Sequence, residues 1–122
     1  MGISTMKTER VPITITKKMV QEYEEIFGEQ STLPPTFAMI FYRFIELPWR
    51  TTSPAILRKQ YGTCEKELDI DETYQCQVIL KVNKQRSNHV FYTQSLYLYD
   101  QHEEVCSKCV SELVTKSPLQ KK

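Results

Sequence analysis

The first clear rhythm along the chain is in Lys17–Phe27. Apolar residues at Val20, Tyr23, Ile26 and Phe27 fall on one side of a 3.6-residue turn, while Gln21, Glu22, Glu24 and Glu25 fall elsewhere. Thr16 is placed to cap this segment and Gly28 to stop it, so the spacing predicts an amphipathic helix. Ahead of it, residues 1–8 carry no pattern and are expected to form a loose start. Glu9–Thr14 is a short β-branched run that Pro12 restricts to a sheet edge. Gly28–Thr36 (GEQSTLPPT) reads as a connector, because the Pro34-Pro35 pair keeps a helix from running through it. Phe37–Leu47 (FAMIFYRFIEL) has a different character. Nine of its eleven residues are apolar or aromatic, which predicts a helix buried on nearly every side, too short to span a bilayer and ended by Pro48.

From there the period changes to two. Ile56–Leu68 is a long, mixed strand with Gly62 as a possible bulge, and Asp69–Thr73 (DIDET) is an acidic turn. In Tyr74–Val82, residues Tyr74, Cys76, Val78, Leu80 and Val82 share one face. Asn83–Asn88 (NKQRSN) reads as a polar turn, and His89–Tyr99 as a strand with Val90, Tyr92, Leu96 and Leu98 on one side. Asp100–Glu104 is another turn, Val105–Thr115 the last strand, and 117–122 a basic tail expected to fray. The predicted order is helix, buried helix, then four strands in a largely antiparallel meander. The class is α+β, with a curved sheet wrapped around one central apolar helix, because nothing else in the chain is large enough to cover that helix.

Composition narrows the possibilities. A chain of 122 residues is one domain, 1–122 with a core of about 9–116, and can bury about two-thirds of its surface without staples. Sixteen Lys+Arg against fifteen Asp+Glu give a net charge of +1, which argues for neither nucleic acid nor an anionic membrane as partner. Three scattered glycines cannot build a P-loop or a dinucleotide turn, and two histidines cannot build a three-His zinc site, so no metal is expected. No signal-like apolar run follows the start, and MGISTM misses the myristoylation pattern, so a cytoplasmic chain with reduced thiols is expected. Cys106 and Cys109 form a CxxC. It reads either as half a zinc knuckle or a redox pair, or as two strand residues on opposite faces. Cys64 and Cys76 supply no second CxxC to complete a four-ligand site.

The ordered set of segments resembles the MaoC-like hotdog family of (R)-specific enoyl-thioester hydratases and dehydratases, in particular the MaoC-type N-terminal dehydratase domain. The residues that carry the resemblance begin with Glu22-Tyr23-Glu24-Glu25-Ile26-Phe27-Gly28 and the Pro34-to-Phe37 step that opens the central helix. They continue through Glu65-Lys66-Glu67-Leu68, Lys81-Val82-Asn83-Lys84-Gln85-Arg86, Val90-Phe91-Tyr92-Thr93 and Tyr97-Leu98-Tyr99-Asp100. The resemblance covers roughly residues 10–116. It implies a hotdog fold and an acyl-thioester ligand, acyl-CoA or acyl carrier protein, with no other cofactor. Active members carry an Asp and a His shortly before the central helix. Here the connector GEQSTLPPT holds neither, and Glu29 is its only acid. The expectation is therefore an acyl-thioester-binding domain in fatty acid metabolism, non-catalytic by itself. It would act as a homodimer, or as a heterodimer with a catalytic hotdog subunit.

Site candidates follow from the same reading. The resemblance places the thioester carbonyl at the N-terminal amides of the central helix, at Thr36, Phe37 and Ala38, where helix N-termini favour developing negative charge. Ile40, Phe41, Tyr42 and Tyr61 either line an acyl slot or pack the core. Lys81, Lys84 and Arg86 either hold CoA phosphates or keep a hairpin hydrated. If the domain does catalyse hydration or thioester cleavage, Glu46 and His89 are the candidate acid–base groups. The remaining alternative is a structural or regulatory interaction domain with no acyl ligand.

Overall fold

The computed structural model describes residues 5–28, 35–50, 54–86, 88–116 and 120–121, without the side chains of 35, 36, 38, 39, 120 and 121. Its strands are β1 (Thr5–Lys7), β2 (Val11–Thr14), β3 (Trp49–Arg50), β4 (Ile56–Cys64), β5 (Thr73–Arg86), β6 (His89–Tyr99), β7 (Val105–Thr115) and β8 (Gln120–Lys121). Helix α1 spans Lys17–Phe27, and a 3₁₀ helix spans Pro35–Phe44.

The three strands with the best apolar alternation, β5, β6 and β7, form the middle of a six-stranded antiparallel sheet. β1 and β2 flank β5 at one edge, and β4 flanks β7 at the other. Cys76, Val78 and Leu80 of β5 point inward with Leu96 and Leu98 of β6, all nearly inaccessible to water. Two expectations change here. The strands are not a simple meander, because β4 crosses to pair with β7 instead of β5. β4 has little apolar alternation and is exposed from Ile56 through Tyr61, so it fits an edge better than the interior. The loose start is also corrected: Thr5–Lys7 pairs with Lys81–Ile79, and Gln120–Lys121 of the expected frayed tail pairs with β3.

Register irregularities account for other differences. The bulge in β4 falls at Arg58, not Gly62. A second bulge, at Asn83, carries β5 on to Arg86, so the polar run read as a turn is mostly strand, and β6 starts again at His89. True reversals occur at Asp71 and Glu103, both with positive φ. Asp100 holds the second by accepting bonds from the amides of His102 at 2.8 Å and Glu104 at 3.0 Å.

The central helix is a 3₁₀ helix that stops at Phe44, shorter than the expected Phe37–Leu47, and it packs against β7 and β4. In a helix with three residues per turn, positions four apart are turned by about 120°. Phe37 and Phe41 are both fully buried, so burial covers more than one side, as the apolar run requires. Arg43 and Phe44 remain exposed. On α1 the buried residues are Met19 and Tyr23, whereas Ile26 (76% exposed) and Phe27 (63%) of the expected core stripe stand out from the last turn.

Candidate functional site

Thr16 starts α1 through a bond from the Met19 amide to its Oγ1 (3.2 Å), and Gly28, with φ 87°, ends it. The helix is held against the central 3₁₀ helix by rings. Tyr23 meets Phe37 edge-on at 5.3 Å between centroids, and Phe37 meets Phe41 at 6.0 Å. Beside this ring stack lies a cavity of about 500 Å³. Met19, Tyr23, Ile26 and Phe27 of α1 line it, with Ile40 of the 3₁₀ helix and Gln60 of β4 closing the far side. A second cavity of about 600 Å³ continues past Met19 toward Ile13, Lys18 and Phe44. Arg43 and Glu22 line both, with Nη2 of Arg43 3.2 Å from Oε2 of Glu22. An exposed pair of this kind contributes little stability, so it can open without much cost.

Together the two cavities form an apolar trough crossed by one ion pair. Such a space suits a flexible hydrocarbon with a polar or anionic end. It is lined by no cysteine and no histidine among the described residues. Among the described residues no trio of His, Cys, Asp or Glu is grouped to hold a metal ion. The four cysteines are free thiols. Cys106 and Cys109 of the CxxC are both buried, and Sγ of Cys106 donates to the carbonyl of Leu98. Burial pushes the Cys106 thiol up to about 11 and raises Cys109 as well, leaving both poor as thiolates.

The predicted site residues separate. Ile40 lines the trough. Phe37 and Phe41 are fully buried and act as its packed support. The side chains of Thr36 and Ala38 lie outside the described residues, as does the connector at 29–34, including Glu29. Tyr61 pairs with Val110 and points to the outer face of the sheet. Its neighbour Gln60 is the one that reaches the cavity. Lys81, Lys84 and Arg86 also stand on the outer face, opposite Thr93, Phe91 and His89, with the sheet between them and the central helix. Glu46 follows the 3₁₀ helix and lines a shallow space with Lys7, Glu9 and Pro48. Lys7 pairs with Ile79, whereas His89 pairs with Arg86, about 20 Å further along β5. Glu46 and His89 therefore do not form one site.

Sequence reasoning missed Met19, Glu22, Arg43 and Gln60. The exposed pair Ile26–Phe27 was the available signal, had it been read as a lining instead of a core stripe. Tyr42 is also unusual. Its hydroxyl is buried near Gln94 yet makes no hydrogen bond among the described residues, and burial pushes its pKa up to about 12. Gln94 already accepts from Nε1 of Trp49 at 3.2 Å.

No family model and no curated protein sequence matches the chain. Solved structures do. The chain is similar to a C-terminally truncated 3R-hydroxyacyl-ACP dehydratase complex, HadBC, from Mycobacterium tuberculosis. The TM-score is 0.67 and the identity 10%, over 94% of this chain and 98% of that one. A MaoC-like dehydratase from Rhodospirillum rubrum matches with TM-score 0.64 and 12% identity, over 93% of this chain and 92% of that one. An (R)-hydratase from A. caviae involved in PHA biosynthesis matches with TM-score 0.60 and 12% identity, over 91% and 95%. The curved six-stranded antiparallel sheet, the apolar helix packed on it and these likenesses together give the chain the hotdog fold, in the form seen in MaoC-like dehydratases and (R)-hydratases.

Proposed function

We propose that the chain is an acyl-thioester-binding hotdog subunit, without hydratase activity of its own, that pairs with a second hotdog subunit. The observation that carries the reading is the near-complete overlap with dehydratase structures in a chain whose segment between Gly28 and Phe37 contains neither Asp nor His. The trough between α1 and the central helix takes the acyl chain. Its cations are Lys18 and Arg43, and these are better placed for the ligand's phosphates than Lys81, Lys84 and Arg86 on the outer face. The pairing surface is the outer edge of β4, which has no strand partner beyond β7 among the described residues, and where Ile56 is 64% and Leu57 52% exposed. Gln60 on the same strand shares a cavity with the exposed Ile26 and Phe27.

Calorimetric titration with crotonyl-CoA and with longer acyl-CoAs tests the binding claim. Longer chains are expected to bind more tightly, and Ile40→Asp to lose them. Absence of heat with every acyl-CoA, alone and with the acyl carrier protein thioester, overturns it. Enoyl hydration and thioester cleavage are assayed in parallel. Turnover by the isolated chain that Glu46→Ala or His89→Ala abolishes overturns the non-catalytic part.

A further inference from the structure

The net charge of +1 hides a sharp division between the two faces of the sheet. On the outer face, β5 presents Lys81, Lys84 and Arg86, β7 presents Lys108, and β4 presents Lys59, with Arg58 reaching the same side over Phe91. Among the described strand residues, Glu112, opposite Lys59 and Thr93, is the one carboxylate on this face; at its end Arg10 lies 4.0 Å over the Tyr99 ring and pairs with Glu103 of the neighbouring turn. The Asn83 bulge makes the row. Without it Lys81 and Lys84, three residues apart, would face opposite sides. With it, both align with alternate residues of β6.

Aromatic rings are set between these cations. The Phe91 ring has the Arg58 guanidinium carbon 5.2 Å from its centroid and the Lys84 ammonium at 4.8 Å. Lys108 stands 5.4 Å from the Tyr97 ring, and Lys59 stands 5.3 Å from Tyr61. Tyr97 and Tyr99 lie with their rings 25° apart and centroids separated by 6.2 Å. Phe91 and Tyr97 are six residues apart on β6, a span of about 20 Å.

We propose that this outer face binds single-stranded nucleic acid. Rings on a broad sheet, flanked by mobile cations, offer base stacking and phosphate neutralisation in one surface. The lysines that now cover Tyr97 and Phe91 move to phosphates as bases take their places. A duplex keeps its base faces hidden and has no use for the rings. An acidic protein surface would use the cations alone. The fold does not need this arrangement, since six like charges on one face repel one another. The proposal is independent of the acyl-binding reading, because the sheet separates the outer face from the trough.

The test is fluorescence anisotropy with fluorescein-labelled dT20 and U20, and with a 20-base-pair duplex, on the full chain. Single strands are expected to bind more tightly than the duplex. With four to six phosphate contacts, raising salt from 50 to 200 mM weakens single-strand binding roughly 50- to 300-fold. The exposed triple variant Lys81→Ala, Lys84→Ala, Arg86→Ala is expected to weaken binding and flatten the salt slope. Tyr97→Ala is expected to lose affinity about tenfold, and Tyr97→Phe to restore it. Thermal melts of each variant show that the fold is retained. Several outcomes overturn the proposal: no binding at 100 μM protein and 50 mM salt, tighter binding of the duplex, or single-strand affinity that the triple variant or Tyr97→Ala leaves unchanged.

Discussion

A single hydroxyl, that of Tyr42, is the least comfortable atom in the described core. It is buried, near Gln94, with no hydrogen bond among the described residues, and its pKa is pushed up to about 12. A buried donor without a partner costs about 1–3 kcal/mol, and removing it can recover part of that. Tyr42→Phe is therefore expected to leave the free chain as stable or to raise its Tm by about 3–5 °C, read from thermal melts. Gln94, which accepts from Trp49 Nε1, is the polar group beside the Tyr42 hydroxyl and partly offsets the effect of burial on its pKa. A different residue, Thr8, shows how a polar side chain can replace a strand. Its Oγ1 accepts from the buried Val78 amide at 3.0 Å, and its own amide donates to the Val78 carbonyl at 2.9 Å. Thr8→Val keeps the shape and removes the acceptor. It is expected to cost about 1–3 kcal/mol and to speed hydrogen exchange at the Val78 amide selectively.

Elements were legible in the sequence where their pattern is local. β6 and β7 begin and end where the alternation does, at His89–Tyr99 and Val105–Thr115, and α1 runs from its Thr16 cap to its Gly28 stop. What was hidden depends on partners distant in the chain. Cys64 pairs with Ser107, and nothing within β4 itself announces that neighbour. Each bulge reverses the facing of everything beyond it. The one at Arg58 helps place Gln60 at the cavity and Tyr61 outside, and the one at Asn83 gathers three cations that simple alternation would split. The trough was likewise hidden because its lining comes from α1, the 3₁₀ helix and β4 together. β4 also carries a prediction of its own. Leu57→Lys, at the exposed edge, is expected to leave the circular-dichroism spectrum unchanged and to halve the mass seen by light scattering. A wild-type chain that already scatters as a monomer removes the basis for pairing through this edge.

For the molecule as a whole, one exposed ionic network ties the β4–β5 crossover to the β6–β7 turn. Lys66 reaches Asp100 at 2.9 Å and also bonds Glu104. Chiefly through the Lys66 bond, the Asp100 carboxyl is held down at about 2. A carboxyl whose folded pKa is depressed stabilises the fold fully above its unfolded value. It gives up that contribution as pH falls through the folded value. The loss is therefore expected between about pH 4 and 2. Lys66→Met should lower Tm at pH 7 and make its pH dependence shallower across that window, measured by melts at half-unit steps. Among the described residues no helix is long and apolar enough to cross a membrane.

The sheet order has a further consequence for how the chain is made. β1, β2 and β4 all precede residue 65 and form the two rims of the sheet, while β5, β6 and β7 come afterwards and form everything between them. Thr8 and Val78, which bond directly, are separated by 70 positions. During synthesis, the first half of the chain therefore emerges as α1, the apolar 3₁₀ segment and four strands, β1 to β4, whose partners all come later. The later half can build its three-stranded centre from neighbouring hairpins. A nascent chain halted before Thr73 carries both borders of the sheet and none of its middle.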